Sequence, residues 1–271
     1  MESNSQSLRP LPLLALGYLH YGWRVLATGL AFLLFAVGGL LFIALPTLLL
    51  ALLPIQPARR HKATRWLISH IFTAYIVLLR LLGLLTYEFQ GLERLKHGGQ
   101  LVVANHPTLL DVVFIISAIR QADCLIKADL TKIPLTAHSV RSAGYVLNGQ
   151  KNTLSECLKS LQKNYSLVVF PEGTRTANQQ APRFLRGAAN IALAGKQDIT
   201  PIWIGCEPLT LRKGVPWYRI SPRPPHFVIK VLPDIAIEPF LRHSEWQGKC
   251  ARHLTQHLEQ LYTGLNKRAL E

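Results

Sequence analysis

The sequence predicts an α/β protein whose mixed, largely parallel sheet is flanked by helices and follows an N-terminal, membrane-embedded anchor of two helices. Three observations support this prediction. The first part of the chain is apolar and nearly free of acidic residues, short apolar runs alternate with helical stretches farther on, and high hydrophobicity accompanies strong positive charge. We therefore divide the chain into an anchor, residues 1–86, and a globular domain, residues 87–271.

The composition narrows the class of protein. The chain has 271 residues, of which 30 are Lys or Arg and 15 are Asp or Glu, giving a net charge of +15 with a mean hydropathy of +0.20. Only 17% of the residues are charged, which excludes a disordered basic tail and argues against a soluble nucleic-acid-binding protein. An apolar, cationic chain is instead typical of a protein on an anionic membrane surface, so the expected partner is a lipid bilayer and not nucleic acid.

The anchor begins with a long uncharged segment. No charged residue occurs from Val25 to Leu53, and a helix over Val25–Leu45 would be about 31 Å long, which fits the hydrocarbon core. We predict a first helix at about 25–53 and a second at about 62–85. His70 and Arg80 interrupt the second apolar stretch, which favours a helix in the interface, or one returning against the first, over a second full span.

The distribution of charge predicts the orientation of the anchor. No acidic residue lies between Ser3 and Tyr87, and a group of cations follows the first helix directly: Arg59, Arg60, Lys62 and Arg65. This asymmetry predicts that the C-terminal flank is cytoplasmic, and the cations are expected to contact lipid headgroups. The expected location is a bacterial inner membrane, with the globular domain on its cytoplasmic face.

The globular domain alternates predicted strands with predicted helices. Buried strands are indicated at 101–104, 124–126, 145–147, 167–170, 199–204 and 227–231, and helices at 109–119, 153–163 and 184–194. Thr153 and Glu156, at capping-box spacing, mark the start of the second of these helices. Apolar residues from Trp246 to Leu265 recur on one face of a C-terminal amphipathic helix. Such alternation is typical of an α/β sheet.

The first chemically suggestive motif is N-H-P-T-L-L-D at residues 105–111, between a predicted strand and a predicted helix. Asp111 can reach back and accept a hydrogen bond from Nδ1–H of His106, which would fix the tautomer and leave Nε2 as a base. Such a base can take a proton from a hydroxyl that attacks an acyl carbonyl. Taken alone, the pattern is more typical of a capping histidine with an aspartate in the first helical turn.

The second motif is F-P-E-G-T-R at residues 170–175, at the end of a predicted strand. It places the carboxylate of Glu172, the hydroxyl of Thr174 and the guanidinium of Arg175 on one loop. The planar fork of arginine matches phosphate. Taken alone, this motif also fits an ordinary turn with an exposed ion pair.

Together, the two motifs resemble those of the glycerolipid acyltransferase family typified by 1-acylglycerol-3-phosphate acyltransferase. Two further stretches are similar to blocks of that family, K-A-D-L-T-K-I-P-L from Lys127 and T-P-I-W-I from Thr200. The resemblance extends from about residue 87 to residue 240. An apolar two-helix N-terminus is also familiar in members of the family.

The resemblance implies a role for each matching residue. His106 would be the general base and Asp111 its orienting partner. Residues implied in substrate binding are Asn105, Lys127, Lys151, Glu172, Gly173, Thr174, Arg175 and Pro201. The implied reaction moves an acyl group from acyl-CoA or acyl-carrier protein to the hydroxyl of a lysophospholipid, without cofactor or metal. No covalent acyl-enzyme is required, which agrees with the absence of a G-x-S-x-G motif.

Two positions depart from the family pattern. Gln150 stands where the family has an arginine, and Leu185 stands where it has a lysine. Lys151, Arg183 and Arg186 can compensate for the missing cations. Otherwise the acceptor is a lipid or lipid-linked metabolite without phosphate. A non-catalytic lipid-binding protein of the same fold and a hydrolase that uses water as the acceptor are the remaining alternatives.

Overall fold

A computed structural model describes residues 11–95, 98–132, 134–175, 182–242 and 247–269. The predicted start of the last helix at Trp246 lies outside these residues. The strands are β1 (Thr86–Gln90), β2 (Leu101–Ala104), β3 (Ala122–Lys127), β4 (Val146–Asn148), β5 (Ser166–Val169), β6 (Ile199–Glu207) and β7 (His226–Val231). They form one sheet in the order β1-β7-β6-β2-β5-β3-β4. The five neighbouring strands β6, β2, β5, β3 and β4 are parallel to one another, and β7 pairs antiparallel with β6. The predicted mixed, largely parallel sheet is therefore confirmed.

Helices cover both faces of this sheet. In the described residues they are α1 (Leu11–Gly38), α2 (Leu45–Leu52), α3 (Pro57–Leu81), α4 (Asp111–Ala118), α5 (Pro134–Ala143), α6 (Thr153–Gln162), α7 (Gly187–Gly195), α8 (Glu238–Arg242) and α9 (Gln247–Arg268). Alternate residues of a strand point to opposite faces. On β2, Val102 packs with the N-terminal helices and α4, whereas Val103 packs with α6, α7 and α9. The sheet thus separates two cores.

The N-terminal helices form a hairpin. A π-helical turn, Gly39–Ala44, joins α1 to α2, so one helical rod runs from residue 11 to residue 52. The rod passes through Pro46, which lies in the first turn of α2, where a missing backbone N–H costs little. The chain reverses around Pro54 and returns as α3. The predicted second helix at about 62–85 therefore begins five residues earlier and ends four residues earlier.

The hairpin packs along the globular domain. Helix α3 contacts α4 and α5, and the π-helical turn and α2 contact α5 as well. By length and composition, one helix in the described residues could cross a membrane, Tyr18–Leu52. Its outer side carries exposed leucines, among them Leu26, Leu30 and Leu33.

Arg65 does not lie where the sequence suggested. It was expected to face lipid headgroups, yet its side chain is 3% exposed and pairs with Asp123 at 3.1 Å. Its guanidinium also donates to the carbonyls of Ala143 and Gly144 and lies over the ring of Tyr165. The headgroup prediction was wrong for this residue because α3 turns this side toward the sheet. Arg65 therefore joins the hairpin to the domain.

The start of α6 also differs from prediction. The helix begins at Thr153, but Asn152 is the N-cap and makes no side-chain capping bond. The Thr153 hydroxyl instead accepts the backbone N–H of Gln150 and donates to the carbonyl of Leu147. The hydroxyl therefore holds the turn after β4 in place of the predicted capping box.

Candidate active site

The two sequence motifs meet because β2 and β5 are parallel neighbours. The carboxyl ends of parallel strands lie at one edge of a sheet, and ligands of open α/β sheets bind outside that edge. Residues 105–111 follow β2 and residues 170–175 follow β5. The rings of His106 and Phe170 lie 4.6 Å apart between centroids. Glu172 Oε1 accepts the backbone N–H of His106 at 2.8 Å, so the second motif holds the first.

His106 and Asp111 form the pair that the spacing predicted. His106 Nδ1 lies 2.7 Å from Asp111 Oδ2, and the two side chains are 16% and 0% exposed. Asp111 is the first residue of α4, so the turn between the strand and the helix brings the carboxylate back under the ring. The pair is thus open to a ligand only on the imidazole side.

Thr108 completes the surroundings of the buried carboxylate. Its backbone N–H donates to Asp111 Oδ2 at 2.7 Å, and its hydroxyl donates to Oδ1 at 2.6 Å. Burial raises the pKa of Asp111, and the hydrogen bonds from His106 and Thr108 oppose this rise. Both carboxylate oxygens are therefore held in place. Sequence reasoning missed Thr108, although it lies within the first motif.

Arg175 lies in the second motif but contacts a different loop. Its Nη1 donates to the backbone carbonyl of Leu211 at 3.0 Å. Leu211 follows β6 and has a φ of 48°, in the left-handed region that leucine rarely adopts. Gly173 has a φ of 66°, and a β-carbon there would lie 3.0 Å from Leu185. A glycine at this turn thus avoids both strain and contact.

Asn105 and Pro201 both lie where β2 and β6 run side by side. Asn105 is 4% exposed, and its amide both donates to the carbonyl and accepts the N–H of Ile204. Its side chain thus ties the end of β2 to β6. Pro201 lies buried within β6, opposite Val103 of β2. Both residues hold strands beside the His106 turn.

The remaining predicted cations lie farther along the same edge. Lys127 ends β3, one strand beyond β5, and Lys151 follows β4, two strands beyond it. At roughly 4.8 Å per strand, Lys151 is about three strand spacings from β2. Both side chains are exposed, as is Gln150. Leu185 is 61% exposed and donates its backbone N–H to Pro171 of the second motif.

An apolar cavity of about 410 Å³ reaches His106. Its walls come from both parts of the chain. Helices α1 and α3 contribute Arg24, Thr28, Ala31, Phe32, Phe35, Phe72, Tyr75 and Leu79, and the domain contributes Leu109, Leu110, Val112, Val113, Leu130, Thr210, Leu211, Ile220 and Pro225. The segment that joins them adds Leu84 and Leu85. The sequence did not indicate that the anchor would help to build a cavity next to the histidine.

Neither a metal site nor a nucleotide site is evident in the described ranges. No group of three or more His, Cys, Asp or Glu side chains there could hold a metal ion. The sequence contains neither G-x-G-x-x-G nor G-x-x-x-x-G-K-[ST].

Comparison with known proteins agrees with the resemblance carried by the paired motifs. Residues 86–205 match the family model described as Acyltransferase, so the resemblance drawn from the motifs is confirmed. The chain also has the fold of the 1-acyl-sn-glycerophosphate acyltransferase PlsC from Thermotoga maritima. That comparison covers 92% of this chain and 97% of that one, with a TM-score of 0.71 and 21% identity.

Two relatives by sequence are both named 1-acyl-sn-glycerol-3-phosphate acyltransferase. The chain is 33% identical over 113 residues to 1-acyl-sn-glycerol-3-phosphate acyltransferase of Helicobacter pylori, covering 39% of this chain and 48% of that protein. It is 26% identical over 156 residues to the protein of the same name from Limnanthes alba, covering 55% and 54%. The chain thus spans about half the length of these curated relatives.

Proposed function

We propose that this protein is a membrane-bound O-acyltransferase that moves an acyl group from acyl-CoA or acyl-carrier protein to the hydroxyl of a lysophospholipid such as 1-acylglycerol-3-phosphate. The observation that carries this proposal is the His106–Asp111 pair at the wall of a 410 Å³ apolar cavity. A base beside an apolar cavity suits a substrate that has both a reacting hydroxyl or carbonyl and a hydrocarbon chain. The names of the sequence relatives support the same reaction.

His106 acts as the general base in this mechanism. Its Nδ1–H donates to Asp111, which places the lone pair on Nε2. Nε2 takes the proton of the acceptor hydroxyl while the oxygen attacks the thioester carbonyl. The C–S bond then breaks, and the proton passes from the imidazolium to the departing thiolate. Asp111 stabilises the imidazolium between these steps. No acyl-enzyme forms.

The second motif is our candidate for the acceptor's headgroup site. The Glu172 carboxylate accepts the backbone N–H of His106 and so orients the His106 turn. Arg175 supplies a guanidinium on the same loop as Glu172. Glu172 and Arg175 bind the glycerol and the phosphate, with Gly173 and Thr174 shaping the loop. The exposed Lys127 and Lys151 on the same edge attract the anionic headgroup. Asn105 and Pro201 act by position rather than by contact.

The hairpin attaches the enzyme to one face of a bilayer. The rod from residue 11 to residue 52 contacts the domain at two places, through Arg24 in its first half and through α5 in its second half. A rod held along the domain in this way lies in the interface, with its leucines in the acyl layer, rather than projecting across the membrane. We place the domain on the cytoplasmic face of a bacterial inner membrane. Arg59 and Lys62, both exposed, then contact headgroups.

A labelled acyl thioester tests this function. The purified full chain is given labelled acyl-CoA or acyl-carrier protein with a panel of acceptors, and products are identified by mass spectrometry. Transfer to lysophosphatidic acid supports the proposal, whereas release of free fatty acid without an acceptor identifies a hydrolase. Binding of lipid without turnover identifies a non-catalytic protein. His106→Ala should lower the rate by roughly 10²–10⁴-fold, and His20→Ala, at an exposed position, should not.

A second candidate acceptor has no phosphate. Gln150 and Leu185 replace the two cations that the family pattern provides, and this specific loss favours an uncharged acceptor. Turnover on a specialised lipid or lipid-linked metabolite, without turnover on lysophosphatidic acid, would establish this alternative. The proposed general base is the same for both acceptors.

A further inference from the structure

The segment between β6 and β7, residues 208–225, has an unusual charge. This segment, here called the basic loop, contains Arg212, Lys213, Arg219 and Arg223 and no acidic residue. Lys213, Arg219 and Arg223 are exposed. None of the four cations pairs with an acidic side chain in the part of the chain that the structure describes. Four cations without counter-charges form a surface that attracts anions.

The basic loop also presents aromatic side chains to the outside. Trp217 and Tyr218 are 44% and 54% exposed, and their rings meet edge to face at 5.8 Å. Tryptophan and tyrosine are enriched where membrane proteins meet the headgroup layer, because one part of each ring system is apolar and another is polar. Two such rings, exposed side by side, are therefore typical of a surface that meets a membrane interface.

The basic loop is joined to the apolar rod. The Arg24 guanidinium donates to the carbonyls of Ser221, Pro222 and Arg223 at 2.9, 2.9 and 3.2 Å. Trp217 packs on Phe32 of α1, at 5.8 Å between ring centroids. The loop therefore packs directly on α1, the helix that carries the exposed leucines. Arg24 is only 2% exposed, so it holds the loop on α1 and does not itself face the lipid.

We propose that the basic loop docks on an anionic lipid surface and forms a second membrane contact beside the hairpin. The exposed leucines of α1 enter the acyl layer, Trp217 and Tyr218 lie at the headgroups, and the cations meet lipid phosphates. Thr210, Leu211 and Ile220 of this loop also line the cavity at His106. The docked loop thus holds a wall of the cavity at the membrane surface.

A bilayer fits this surface better than a protein partner does. The loop packs on α1, which carries exposed leucines, and a lipid surface offers both the hydrocarbon that leucines prefer and the phosphate that cations prefer. An acidic protein offers the charge alone. This inference rests on the proposed attachment of the chain to a bilayer, and its test measures binding rather than turnover. An inactive protein that still binds vesicles through the loop would refute the proposed function and leave this inference standing.

Vesicle flotation of the full chain tests the proposal. One variant carries Lys213→Gln, Arg219→Gln and Arg223→Gln, and a matched control carries Lys249→Gln, Arg252→Gln and Arg268→Gln. The control positions are exposed and lie on α9, which packs on the other face of the sheet. Vesicles contain phosphatidylcholine alone or phosphatidylcholine with phosphatidylglycerol. Far-ultraviolet circular dichroism and thermal melting establish that both variants are folded.

The loop variant should bind anionic vesicles on the order of a hundredfold more weakly than the unaltered chain, at about fivefold per cation. Its binding to neutral vesicles, and the binding of the control variant to both, should change little. In addition, Trp217→Phe should reduce the quenching of tryptophan emission by brominated phosphatidylcholine in anionic vesicles.

Three results would overturn the proposal. The loop variant binds anionic vesicles as well as the unaltered chain does, or the control variant weakens binding equally. Alternatively, the loop variant keeps its vesicle binding and loses turnover only with acyl-carrier protein. That last result would make the loop a docking surface for an acidic protein.

Discussion

Asp111→Asn tests the proposed base through a small chemical change. The amide oxygen can occupy the position of Oδ2, where it still accepts from His106 Nδ1–H and from the backbone N–H of Thr108. The amide NH₂ then lies at the position of Oδ1, where the Thr108 hydroxyl can turn to accept it. The opposite orientation would bring NH₂ against two donors. The surroundings therefore select the orientation that preserves the tautomer of His106.

The expected loss follows from the charge alone. A hydrogen bond to a charged group contributes about 1.5–3 kcal/mol and one between neutral groups about 0.5–1.5 kcal/mol. The difference of roughly 1–1.5 kcal/mol corresponds to about tenfold in rate. We expect Asp111→Asn to lower the transfer rate about tenfold, far less than the roughly 10²–10⁴-fold expected for His106→Ala.

Steady-state transfer rates of the three proteins at one pH provide the measurement. Asp129→Asn is the matched control, since that carboxylate is exposed and pairs with Lys132 on the surface. If Asp111→Asn loses as much rate as His106→Ala, the amide has taken the other orientation and the argument from Thr108 is wrong. If Asp111→Asn turns over at the original rate, the carboxylate has no part in the reaction.

Three further predictions concern the hairpin and the headgroup. Arg65→Ala should destabilise the fold by about 3–5 kcal/mol, because it leaves a buried aspartate unpaired, while Arg59→Ala at an exposed position should change little. Denaturant unfolding measures both, and equal midpoints would contradict the assignment. Ala31→Leu should shift turnover toward shorter acyl thioesters by filling the cavity, and an unchanged profile across a chain-length panel would show that acyl chains bind elsewhere. If the acceptor is lysophosphatidic acid, Arg175→Ala should raise its KM strongly. Gln150→Arg should be neutral or favourable for KM and leave stability unchanged, because position 150 is exposed. Kinetics of both variants on that lipid decide the matter, and an unaltered KM for Arg175→Ala would remove the guanidinium from the headgroup site.

The sequence determined the parts of this protein that depend on local pattern. Alternating apolar runs identified most strands of the domain, since a buried strand must be apolar over its own few residues. The spacing of His106 and Asp111 was sufficient to predict their pairing, because a strand-to-helix turn brings these two positions together. The uncharged segment at 25–53 likewise identified the apolar helix. Each of these features is written within a short stretch of chain.

The short strand β1, by contrast, was missed, although it lies at the edge of the sheet. Its burial alternates between half-buried and exposed residues, so it lacks the apolar run that marks the other strands. Helix α5 was missed as well, because Leu135 and Val140 are the only large apolar residues in its sequence. Both elements are held by partners distant in sequence, β7 and the hairpin.

Only the tertiary structure decided which charges face water. Nothing in the local sequence distinguishes Arg24 and Arg65 from the exposed arginines of the hairpin. In the structure each is buried and donates to backbone carbonyls far along the chain. The cavity at His106 likewise takes its walls from α1, α3 and the basic loop, and the loop follows α3 by well over a hundred residues. The periodicity of apolar residues indicates which face of a helix or strand is buried, but it does not indicate which distant segment packs on that face. Packing of the hairpin onto the sheet supplies that information, and it makes the hairpin part of the wall of the cavity at His106.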